Sequence, residues 1–117
     1  TRSFIHMQDV SDATWKIMQQ GQDGDTYHIS TNEVISIREL VERICEKLEV
    51  NFEDHVEFVG ERVGKDSAYH LDSTKLRTEL DWQDHINLDQ GLDECISWVK
   101  SNFDVLKNQP FDYQHKP

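Results

Sequence analysis

Ile37, Leu40, Val41, Ile44 and Leu48 recur at i, i+3, i+4, i+7 and i+11, a spacing that lines one side of a helix and cannot line one face of a strand. Ser36 and Glu39 stand at its start as a capping box, each side chain able to satisfy the other's free backbone N–H. Cys45 flanks the stripe. A second helix is expected after Asn87, with Leu88, Leu92, Cys95, Ile96, Val99 and Phe103 as its buried stripe and Trp98 beside it. A third, starting at Asp9 or Ser11, carries Val10, Ala13 and Ile17, widened by Thr14 and Met18. A short fourth, capped by Asp72 or Ser73, runs to Leu80 with Asp81-Trp82 just beyond.

Other segments alternate at period two. Arg2 to Met7, Thr26 to Ser30 (Tyr27 and Ile29 on one face) and His55 to Val59 (Val56 and Phe58 on one face) are expected as short strands. Asn51 to Asp54 is an acidic linker, and Lys107 onward has no periodicity. The expectation is a mixed α/β domain over residues 1–104, with short strands and about four helices, and a loose tail over 105–117. Its apolar fraction of 36% and mean hydropathy of −0.74 are low for a self-sufficient globule yet above the disordered range.

The formal charge of −11 argues against general nucleic-acid binding and against docking on anionic membranes. No stretch has the length of a membrane span and no signal peptide is visible. Cys45 and Cys95 sit among apolar residues at helical spacing, so buried free thiols and a reducing, cytoplasmic location are expected. The chain opens with Thr1-Arg2 rather than Met, as an excised piece or the tail end of a longer protein would.

One stretch differs electrically from the rest. Residues 60–77 hold Arg62, Lys65, Lys75 and Arg77 against Glu61, Asp66 and Asp72, a local balance of +1 on an acidic body. Gly60 and Gly64 bracket a turn there, Gly64 being a candidate for positive φ. Two readings are open: a loop that holds a phosphate-bearing ligand, for which Arg offers a two-pronged donor fork, or solvated charges between two ordered elements. The five glycines form no dinucleotide-binding turn and no P-loop, and there is no Gly-x-Ser-x-Gly elbow. The six histidines form neither HxH nor HExxH, so a metal site is not expected. Taken alone, the residues do not make a complete enzyme.

Four segments in order resemble the C-terminal, substrate-binding portion of the extended short-chain dehydrogenase/reductases, the NAD-dependent nucleotide-sugar epimerases and dehydratases. Thr1 to Val10 resembles "R-D-(F/W/Y)-(I/L)-(H/Y)-V-x-D", and Gly24 to Ile29 resembles "G-x-x-Y-N-(I/L)-G". Arg62-Val63-Gly64-Lys65-Asp66 with Tyr69, Asp72 and Lys75 resembles "R-x-G-x-D-x-x-Y-x-x-D-x-x-K". Glu79 to Trp82, then Leu88, Gly91-Leu92 and Trp98, resembles "E-L-G-W" and "L-x-x-G-(I/L)". The third segment most resembles the dTDP-glucose 4,6-dehydratase branch; 4-epimerases and decarboxylases have related versions. Ser3, His28, Ser30 and Asp81 depart from the pattern, where Asp, Asn, Gly and Gly are usual.

The resemblance implies a substrate lobe that packs on a Rossmann domain carrying NAD, a nucleotide-diphosphate sugar as ligand, and a homodimer. It implies oxidation of the sugar at C4, loss of water across C5–C6 and return of hydride to C6. The glycine-rich turn and the Tyr-x-x-x-Lys pair of such enzymes are not in this sequence: Tyr27, Tyr69 and Tyr113 are followed four residues on by Thr31, Ser73 and Pro117. By the same resemblance Arg62 clamps the diphosphate, Arg2 stands near the same phosphates, Asp66 lies near the ribose and Tyr69 packs by the nucleotide. Trp82 and Trp98 are expected in the core. The competing reading from another class is a free-standing acidic binding module. About 200 residues opening on a glycine-rich βαβ unit upstream of Thr1 would favour the enzyme, and an exposed apolar surface meant for that lobe would encourage self-association.

Overall fold

The computed structural model describes residues 1–60, 64 and 66–110. Six helices follow one another: α1 (Met7–Gln20), α2 (Ile37–Lys47), α3 (Phe52–His55), α4 (Thr74–Glu79), α5 (Leu88–Ser101) and α6 (Phe103–Leu106). Among the described residues the expected strands do not form. What remains of them is two isolated bridges, an antiparallel one from Arg2 to Ile35 and a parallel one from Arg2 to Tyr69. Alternation predicts an extended backbone, but a strand also requires a neighbouring backbone to pair with. Thr26–Ser30 and Val56–Gly60 form no regular element, leaving Phe58 70% and Val59 80% exposed. The linker expected at 51–54 instead winds into α3, whose cap Asn51 accepts the Glu53 N–H.

The core forms where α1 meets α4. Ala13, Leu76, Leu80 and Trp82 are buried together, and Ile5, Ile17, Tyr27 and Ile29 pack around them. The periodicities placed Ala13, Ile17, Tyr27 and Ile29 correctly. Helix α1 starts earlier than expected, at Met7, because His6 Nδ1 accepts the Gln8 N–H and serves as the cap. That frees Asp9, expected as a cap, for a different task. Its carboxylate is 1% exposed and accepts the backbone N–H groups of His85 and Ile86 at 2.9 and 3.1 Å. A buried carboxylate is tolerated only with such donors, and here it ties the first helix to the segment that introduces α5.

Helix α2 follows the sequence reading in part. Ser36 Oγ accepts the Glu39 N–H, but Glu39 pairs with Arg43 rather than completing the box. The complete capping box belongs to α5, between Asn87 and Gln90. Helix α2 ends in a Schellman motif, Val50 N–H to Cys45 O and Glu49 N–H to Glu46 O, with Glu49 at φ 57°. Helix α4 ends on Asp81 at φ 50°. That left-handed geometry is the reason the resembled pattern has glycine there.

The stripe expected to be buried on α5 is largely open. No α5 residue is fully buried, Trp98 is 58% exposed, and Cys95 is exposed while Cys45 is buried. Both Trp98 and Cys95 therefore correct the sequence reading: amphipathic spacing names the apolar face of a helix but not whether another element lies over it. No helix among the described residues is long and apolar enough to cross a membrane.

Two outcomes follow for stability, both measured by urea denaturation. Asp9→Ala strands the His85 and Ile86 N–H donors on the inner side of the segment and costs about 2 kcal/mol; a loss near zero contradicts the clamp. Glycine at either left-handed position, Glu49→Gly or Asp81→Gly, removes a Cβ clash and stabilises by about 1 kcal/mol, whereas destabilisation contradicts the assigned backbone.

Candidate functional site

Arg2 is the meeting point of three segments. Its backbone exchanges two hydrogen bonds with Ile35, at 2.9 and 3.0 Å, and the Tyr69 N–H donates to Thr1 O at 3.1 Å beside it. The Arg2 guanidinium donates to Thr1 O at 2.9 Å and to Asp66 O at 3.1 Å, and its carbon lies 5.8 Å from the centre of the Tyr69 ring. Three of the four residues named from sequence, Arg2, Asp66 and Tyr69, are thus brought together although 64 positions separate Arg2 from Asp66. Asp66 contributes its carbonyl to this contact, not its carboxylate. The fourth, Arg62, lies outside the described residues, as does Lys65. Gly64, between them, has φ 82°, the positive value anticipated for it.

The other described arginines are neutralised. Arg38 pairs with Glu42, Arg43 with Glu33 and Glu39, and Arg77 with Asp84. Among the described residues Arg2 is in no ion pair. Carbonyls fix its position without cancelling its charge, and Tyr69, 55% exposed, offers an aromatic face next to it. A guanidinium held by carbonyls, with no ion pair among the described residues, beside an open aromatic ring suits a ligand that combines an anion with a flat ring.

The rest of the cationic stretch divides differently from its sequence appearance. Lys75 bonds Asp25 at 3.0 Å and lies 4.7 Å from the Tyr27 ring; the bond to Asp25 holds its ammonium above the ordinary value. Arg77 is a structural hub. It donates to Ser73 Oγ, Ser30 O and Asp84 Oδ1 at 2.9, 2.9 and 2.6 Å and stacks 4.9 Å from the Trp82 ring. Neither cation is available for a ligand, so the positive balance counted along the sequence is spent in part on carboxylates from outside the stretch. Asp72, not Ser73, supplies the capping acceptor of α4: its Oδ1 accepts the Thr74 N–H at 2.9 Å, and bonds from the Thr74 side chain and backbone hold its pKa below the usual carboxylate value. Ser73 Oγ donates instead to Ser30 O.

Two of the departures from the resembled pattern compensate one another. Ser3 and Ser30 place their hydroxyls 3.0 Å apart, one hydrogen bond joining the first segment to the 26–30 segment. Sequence reasoning missed Asp9, Ser30, Arg77 and Asp84 as the residues that hold this region in place. The one signal available was the Asp of the first motif; nothing in the spacing of the others distinguishes an internal ion pair from a solvated charge.

The fold places these groups in a known class. It matches dTDP-glucose 4,6-dehydratase from Bacillus anthracis str. Ames in complex with NAD at TM-score 0.81, with 28% identity, over 88% of this chain and 32% of that one. It matches the Bordetella bronchiseptica enzyme WbmF in complex with NAD+ and UDP at TM-score 0.71, with 27% identity, over 91% of this chain and 31% of that one. A probable dTDP-glucose 4,6-dehydratase of Sinorhizobium fredii is 32% identical over 86% of this chain and 31% of its own length. The dTDP-glucose 4,6-dehydratase of Haemophilus influenzae is 32% identical over 86% of this chain and 33% of its own length. A family model described as GDP-mannose 4,6 dehydratase matches residues 1–95, and the chain belongs to that family, among the extended short-chain dehydrogenase/reductases. It spans about a third of the length of the curated relatives it matches.

The Arg77–Asp84 pair sets a pH dependence. Burial pushes the Asp84 carboxyl up, but the bonds from Arg77 and Thr31 outweigh it and hold the group below its ordinary value. A depressed folded value stabilises the fold above the unfolded value of about 4 and is lost as pH falls through the folded one. Asp84→Asn should therefore be clearly less stable than wild type at neutral pH, and the gap should narrow in urea titrations below about pH 4. A gap independent of pH contradicts the pair's role.

Proposed function

We propose that this chain is the nucleotide-sugar-binding portion of a 4,6-dehydratase acting in activated-sugar metabolism, with Arg2 and Arg62 as diphosphate ligands. The observation that carries this reading is the Arg2 guanidinium, held by two carbonyls beside the Tyr69 ring and, among the described residues, without a carboxylate partner. UDP in the WbmF complex and the dTDP-glucose of the relatives' names are ligands of the same chemistry, a pyrophosphate joined to a pyrimidine nucleoside. Tyr69 then packs against the nucleoside, and Asp66 fixes the Arg2 fork through its carbonyl.

In the parent enzyme NAD supplies the hydride acceptor and donor. The described residues do not fit NAD: the glycines with positive φ, Gly24 and Gly64, lie in turns that do not open a helix, so neither makes a pyrophosphate cradle. The cofactor is assigned to a Rossmann lobe of the same protein, and the full enzyme is assigned as a homodimer. What this chain contributes is binding and orientation. Contacts to the diphosphate, remote from the reacting carbons, hold the hexose in register, where small misplacements cost rate. An acidic body repels a dianion, so the binding energy must come from a few fixed cations.

Calorimetric titration of the natural gene product with dTDP tests this. Arg2→Ala should weaken binding by about 2–3 kcal/mol, the loss expected for charge-assisted bonds, and Arg62→Ala by a similar amount. Unchanged affinity in the Arg2 variant overturns the assignment.

A further inference from the structure

Arg2 has no sheet to hold it: among the described residues its backbone takes part in two isolated bridges, to Ile35 and to Tyr69. The placing of its guanidinium therefore depends on what steadies residue 35. Ile35 is 4% exposed, so burial of its side chain sets its depth. The chain on either side of it is tied to one helix, α2. After it, Ser36 Oγ accepts the Glu39 N–H as the cap. Before it, the Arg43 guanidinium donates to Glu33 Oε1 at 2.8 Å, and its second prong donates to Glu39 Oε1 at 3.0 Å. Thr31 Oγ1 accepts the Glu33 N–H at 3.3 Å, closing the turn that leads into this contact.

We propose that Glu33, latched to α2 by Arg43, is a positioning residue for Arg2 in nucleotide-sugar binding. The inference rests on the reading above that Arg2 binds the diphosphate. Arg43 holds Glu33 and Glu39 at once because its planar fork donates in fixed directions. The Glu33 and Arg43 side chains are 39% and 28% exposed, and a pair so open to water adds little to global stability. Its effect is local instead. Ile35 lies two positions beyond Glu33, and a small displacement of a ligand contact is felt as lost affinity. Simple electrostatics predicts the opposite sign, since removing a carboxylate from a chain of charge −11 favours a dianion.

Glu33→Gln keeps the shape of the side chain and removes its charge. In calorimetric titration of the natural gene product with dTDP it should weaken binding about fivefold, and that difference should vanish in an Arg2→Ala background. The urea midpoint should barely move. Arg43→Lys, which keeps the charge and loses the fork, should weaken binding in the same direction. The Arg2 and Ile35 amides donate to each other's carbonyls, so in residue-resolved hydrogen exchange both should exchange faster in Glu33→Gln, with α5 amides unmoved. Unchanged or tighter dTDP binding in Glu33→Gln overturns the proposal, and so does an equal loss in the Arg2→Ala background, which would place the effect elsewhere. Unaltered exchange at Arg2 and Ile35 overturns it whatever the affinity. Weaker binding in Arg2→Ala with none in Glu33→Gln removes this inference and leaves the binding reading standing, whereas unchanged affinity in Arg2→Ala removes both.

Discussion

The arrangement of the molecule depends on the Arg77 guanidinium. It joins the 26–30 segment through Ser30 O, the start of α4 through Ser73 Oγ, and the segment before α5 through Asp84, while its face covers Trp82. With no sheet among the described residues to align them, these segments have few other means of keeping their separation. A planar group with five donors suits this task better than an ammonium, because its bonds leave in fixed directions. Asp9 makes the complementary link from the other side, accepting two N–H groups just beyond Asp84. Together the two residues fix α1, α4 and the entry to α5 around the Ala13, Leu76, Leu80 and Trp82 core.

That scaffold explains why Arg2 differs from Arg38, Arg43 and Arg77. Its backbone is held by Ile35 and its guanidinium by carbonyls, so among the described residues the guanidinium is fixed without an ion pair of its own. In a chain with 23 acidic residues a free guanidinium would readily find a carboxylate. Carbonyl anchoring keeps the charge in place and leaves it for an incoming anion.

The sequence's local signals were legible where a helix or cap is settled within a few residues. Ser36 and Asn87 cap their helices, Gly64 takes a positive φ, and Ala13 and Ile17 face inward. The signals misled where the outcome depends on a distant partner. Val56 and Phe58 alternate as a strand does, yet no backbone among the described residues pairs with them, and Phe58 instead meets Phe52 at 6.2 Å with Arg38 over both rings. Trp98 and Cys95 occupy the apolar side of α5 and stay exposed because nothing among the described residues covers that side.

The candidate site divides the same way. The order of short motifs by itself determined the family and named Arg2, Asp66 and Tyr69, because residue identity at fixed spacing survives along the chain. Only the tertiary structure decided which charges remain available. Lys75 and Arg77 look equivalent to Arg2 in the sequence, but Asp25 and Asp84 neutralise them, whereas among the described residues Arg2 meets carbonyls and a ring. The physical reason is that a charge's availability is set by what lies within a few ångströms of it, and those neighbours come from segments dozens of residues away.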